Sequence, residues 1–84
     1  MHNVMIIERA NDGVVRHYCY CVHGGMLCRV NSAGDVVMRV CALPTGSAEL
    51  SRLSDVQLVY LVVDWHGHNC TCPGARITWE LCYN

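Results

Sequence analysis

The chain has no lysine. All six basic residues are arginine, and seven acidic residues bring the formal charge to -1. A dedicated nucleic-acid clamp carries a strong basic excess, so this balance argues against one. Charged residues make up only 15% of the chain and hydrophobic residues 52%, a composition that excludes a disordered tail. No apolar run approaches the roughly 18 residues a membrane-spanning helix needs, so no membrane span is expected. Also missing are a Gly-rich phosphate loop, a GxSxG elbow, an HExxH pair and a paired-carboxylate arrangement. With 84 residues there is room for one domain and little for a walled substrate pocket. These absences point away from an enzyme.

The opening residues Met1-His2-Asn3-Val4-Met5-Ile6-Ile7-Glu8-Arg9 carry no basic leader, and Glu8 and Arg9 interrupt the apolar stretch at once. That is not the pattern of a secretory signal, and the seven cysteines are an odd count. The expectation is an intracellular, cytoplasmic protein with reduced thiols.

What is present is punctuation. Asn11-Asp12-Gly13, Gly24-Gly25, Ser32-Ala33-Gly34-Asp35 and Cys72-Pro73-Gly74 are turn signals separated by strand-length segments. Val4 to Arg9, Val14 to Val22, Met26 to Val30 and Val36 to Cys41 read as strands of an antiparallel meander. Ser47-Ala48-Glu49-Leu50-Ser51-Arg52-Leu53 has a capping residue and good helix formers, which predicts a helical turn or two.

Val56 to Trp65 admits two readings. Ser54-x-x-Gln57 fits a capping box and Gly67 a helix stop, whereas the β-branched and aromatic content favours a strand. The run is apolar all round, so periodicity does not decide, and the reading adopted is a buried central strand. Arg76 to Tyr83 alternates apolar and polar residues with period two, as a half-buried strand pairing back onto Val56 to Trp65. The expected fold is α+β: an antiparallel sheet of five or six strands with one short helix packed on a face.

Two clusters carry candidate chemistry: Cys19-Tyr20-Cys21-Val22-His23 and His66-Gly67-His68-Asn69-Cys70-Thr71-Cys72. Both space their Cys and His residues two apart, and thiolate and imidazole are the ligands zinc prefers. Cys21, His23, His66, His68, Cys70 and Cys72 therefore form the candidate metal set, with zinc as the cofactor. Against this, structural zinc sites space cysteines by two to four residues, and an extended CxC pair stands about 6.5 Å apart. Buried cysteine also packs as a small hydrophobe. A thiol beside His66 or His68, with Asp64 orienting the imidazole, is formally a Cys-His-Asp constellation and gives a Cys-dependent enzyme as a further alternative.

If Cys19 and Cys21 face inward, Arg16, Tyr18 and Tyr20 face outward, and Arg29 and Arg39 share that face. Arginine and tyrosine are enriched at protein interfaces. The expected function is a small non-enzymatic protein-binding module, an accessory or inhibitor protein of the kind phages and viruses encode, docking through this face. The alternative is a zinc-stabilised interaction module with no bound cofactor otherwise. A protein partner is expected and nucleic acid is not, and sheet-edge pairing opens a route to a homodimer.

Overall fold

Two hairpins with the same turn chemistry shape the sheet. In the computed structural model, which describes residues 2–23, 26–40 and 53–83, β1 (His2–Arg9) turns into β2 (Val15–His23), and β3 (Met26–Val30) turns into β4 (Val36–Arg39). The first turn closes with Gly13 N–H donating to Ala10 O, the second with Gly34 N–H donating to Asn31 O. Gly13 and Gly34 each sit at φ 88°, a left-handed conformation in which an L side chain is strained. Asp12 and Asn31 side chains cap backbone N–H groups inside their own turns, which is why acid or amide residues stand there.

The remaining elements are a helix, α1 (Asp55–Asn69), and a last strand, β5 (Arg76–Tyr83). All pairings are antiparallel, in the order β4-β3-β2-β1-β5. This is the expected α+β fold, with five strands and one helix of 15 residues among the described residues.

Two details of the expectation are corrected. Residues 56–65 form a helix and not a central strand, and β5 pairs with β1 instead. The capping box decides the first point: Gln57 N–H donates to the Ser54 hydroxyl, and Ser54 N–H donates to the Gln57 side chain. Gly67 does not stop the helix, which continues to Asn69. The helix is legible once its buried residues are known, since Leu58, Val62 and His66 recur every fourth position with Val59 beside them. Exposed Val56 and Tyr60 hid that stripe by making the other face apolar too. Of the helical segment expected at 47–53, residues 47–52 lie outside the described residues, as do the Gly24-Gly25 turn and Cys41.

The core lies between α1 and one face of the sheet. Val4 and Ile6 of β1, Tyr20 of β2 and Leu27 of β3 meet Leu58, Val59 and Val62 of α1, with Val40 alongside. Burying each of those helix side chains stabilises the fold by about 1.5–3 kcal/mol as an upper bound. Register then fixes the other face. Cys21 stands opposite both Asn3 and Cys28, and Cys82 stands opposite Asn3. The strand cysteines thus look away from the helix, and Tyr18 and Tyr20 look toward it, the reverse of the expected orientation.

Candidate functional site

Three regions hold the residues with chemical potential, one on each side of the sheet and one along its edge. The first is a buried polar chain between sheet and helix. Glu8 ends the Val4, Ile6, Glu8 row of β1 that faces α1, and His66 ends the 58, 62, 66 stripe of the helix, so the two polar termini meet. Both are fully buried. His66 Nε2 lies 3.4 Å from Glu8 Oε1, and Tyr20 Oη lies 2.6 Å from His66 Nδ1. Arg29 Nη2 donates to Tyr20 Oη at 2.6 Å and to Cys70 Sγ at 3.1 Å. Arg16 Nη1 stands 3.9 Å from the other Glu8 oxygen.

One proton arrangement satisfies these contacts. A neutral His66 donates from Nε2 to Glu8 and accepts at Nδ1 from the Tyr20 hydroxyl, while Arg29 supplies Tyr20 Oη with a donor. Burial drives His66 below the ordinary imidazole value, against the opposing Glu8 hydrogen bond. Burial likewise pushes Tyr20 up to about 12, with the Arg29 hydrogen bond and charge pulling the other way. Aromatic contacts complete the packing: the Tyr18 and His66 rings are 4.6 Å apart, and the Arg29 guanidinium lies 4.6 Å over Tyr18. Glu8, His66 and Tyr20 are fully enclosed, and their contacts rivet the helix to the sheet.

The second region is the sheet face opposite the helix. Asn3, Met5, His17, Cys19, Val30 and Cys82 floor an open groove of about 650 Å³, walled by the β3–β4 turn. Burial and the neighbouring Cys82 raise the Cys19 thiol, and burial followed by Cys28 and Cys19 raises Cys21. A raised thiol is protonated at neutral pH and a poor nucleophile.

The third region is an apolar groove of about 230 Å³ between α1 and β5, lined by Val56, Val59, Tyr60, Val63, Trp79 and Leu81. Tyr60 is 73% exposed, Val56 63% and Trp79 50%. Beside them runs the outer edge of β5, eight residues without proline, lysine or a break in register. The opposite edge strand, β4, has four residues and a register shift at Arg29/Val30. Short, bulged edges resist pairing and long regular ones invite it.

Arg16, Tyr18, Tyr20 and Arg29 share one face of the sheet as expected, but that face lies toward the helix and not toward solvent. Tyr20 is in the core, Tyr18 and Arg29 are half-buried under the helix, and Arg16 is at the exposed rim beside Glu8. Arg39, opposite Cys28, lies on the other face of the sheet. The candidate metal ligands are also dispersed. Cys21 faces away from the helix, His23 ends β2 in solvent, and both ring nitrogens of His66 have protein partners. His68 contacts Asp64, Cys70 contacts Arg29, and Cys72 is exposed. Among the described residues no three His, Cys, Asp or Glu side chains converge as a metal-binding group.

Sequence reasoning missed Glu8, Val56, Tyr60 and Trp79. Glu8 had a signal, as the one carboxylate in phase with Val4 and Ile6. Tyr60 and Val56 become visible only once the segment is known to be helical. No helix among the described residues is long and apolar enough to cross a membrane. No protein-family model matches the chain, and neither a curated protein nor a solved structure is found that matches it.

Proposed function

We propose that this chain is a non-enzymatic protein-interaction module that docks through the β5 edge and the apolar groove flanking it. The observation that carries the reading is the exposure of Tyr60, Val56 and Trp79 together along one groove, beside a strand edge that no other strand among the described residues pairs with. Aromatic side chains of this kind supply much contact area at small ordering cost, and the strand edge supplies main-chain hydrogen bonds. The enclosed Glu8–His66–Tyr20 chain and the raised Cys19 and Cys21 thiols favour this over a Cys-dependent enzyme. The docking surface is thus moved from the Arg16/Tyr18/Tyr20 face to the edge of the sheet. An accessory or inhibitor protein acting on a larger assembly needs only such a surface.

Tyr60→Gln with Trp79→Thr tests the reading, because both side chains are largely solvent-facing and the exchanges respect helix and strand propensity. In affinity purification from the cells that make the protein, the wild type and Arg39→Ala retain a common specific partner, and the double variant loses it. Retention by a folded double variant would place the interface elsewhere.

A further inference from the structure

We infer that one partner of this surface is a second copy of the chain, joined by antiparallel pairing of β5 with β5 about a two-fold axis at Thr78. The inference rests on the interaction reading above and adds the occupant and its register. A two-fold axis normal to the sheet sets residue 76 opposite 80, 77 opposite 79, and 78 opposite itself. In that register Arg76 meets Glu80 of the second copy, twice, and Ile77 meets Trp79 of the second copy, twice. Thr78 meets its own equivalent, a pairing that places two hydroxyls within reach of each other.

The monomer leaves these groups wanting such neighbours. Arg76 lies opposite Arg9 on β1, a like-charge pairing, and Glu80 lies opposite Met5. Arg76 and Glu80 are both exposed, and among the described residues neither makes an ion pair. Shifting the axis by one residue to Trp79 loses both charge pairs, and shifting it to Glu80 sets two carboxylates against each other. Charge complementarity therefore selects Thr78. The same operation keeps both copies of α1 on one side of the doubled sheet, so each groove formed by Val56, Tyr60, Val63 and Trp79 flanks the axis. A net charge of -1 gives little self-repulsion to oppose association.

Charge reversal with light-scattering mass across a concentration series tests the register. The wild type rises from the 9.4 kDa of one chain to twice that mass. Arg76→Glu alone and Glu80→Arg alone each weaken association by tenfold or more, since each sets like charges together at both pairs. An equimolar mixture of the two variants, and the R76E/E80R double variant, return to wild-type association. Circular dichroism confirms that each variant is folded. A wild type that stays at one chain mass throughout, or charge reversals without effect on the dimer, would overturn the proposal. Loss of a heterologous partner from Tyr60→Gln/Trp79→Thr alongside a monomeric wild type would sink the dimer and leave the interaction reading intact.

Discussion

Tyr20 and His66, 46 residues apart in sequence, share a 2.6 Å hydrogen bond where β2 passes beneath the last turns of α1. That bond, the His66–Glu8 contact and the Arg29–Tyr20 bond fasten the helix to the sheet, and the helix in turn places Val56 and Tyr60 along β5. The interaction surface depends on the rivet, although no surface residue belongs to it.

His66→Leu is expected to cost about 3–5 kcal/mol, because among the described residues it leaves the buried Glu8 carboxylate with Arg16 alone, at 3.9 Å. Adding Glu8→Leu removes the stranded charge, so the double variant recovers part of that loss. Tyr20→Phe is milder, about 1–3 kcal/mol, since it leaves His66 Nδ1 and one Arg29 donor unmatched. Urea unfolding of the set reads the coupling directly, and strict additivity of the two Leu exchanges would contradict it.

Stability should fall away at both ends of the pH scale. His66 is held below its ordinary 6.5, so the unfolded chain takes up a proton that the folded chain refuses. Stability is then complete above about 6.5, declines as pH drops below it, and levels off once folded His66 also protonates. Tyr20 runs the other way: its phenol ionises near 10.0 when unfolded and near 12 when folded, so stability declines between those values. The alkaline loss from Tyr20 is on the order of 2 kcal/mol. Chemical denaturation across pH checks both limbs, with Tyr20→Phe flattening the alkaline one.

The thiols should rank by exposure. Among the thiols of the described residues, Cys72, which is exposed, reacts first with an alkylating agent at neutral pH, and Cys19 and Cys21, raised by burial and by neighbouring thiols, react slowly. Timed mass spectrometry of the labelled protein gives the order. A fast Cys19 or Cys21 would contradict it and revive a nucleophilic role.

Zinc is expected to leave the thermal midpoint of the reduced protein unchanged. Cys21 lies across the sheet from the helix, and His66 spends both ring nitrogens on Tyr20 and Glu8. A midpoint that climbs with one equivalent of zinc would show ligands converging after all.

Strands were legible because turn chemistry bounded them. Asn11-Asp12-Gly13 and Ser32-Ala33-Gly34 dictate local φ values, and period-two alternation marked Arg76 to Tyr83 as a strand. Orientation was not legible, because cysteine, tyrosine and valine are all acceptable on either face of a sheet. The helix was ambiguous for a related reason: its outward Val56 and Tyr60 look like core residues. That misreading and the candidate interface have one cause, namely apolar side chains spent on a surface instead of an interior.

Amide hydrogen exchange measured against protein concentration probes the interaction surface most directly. Exchange is expected to slow with concentration for the amides of β5 between Arg76 and Glu80, while those of β4 keep their rates. Exchange in β5 that ignores concentration, with protection growing on β4 or on the groove floored by Cys19 and Cys82, would contradict it.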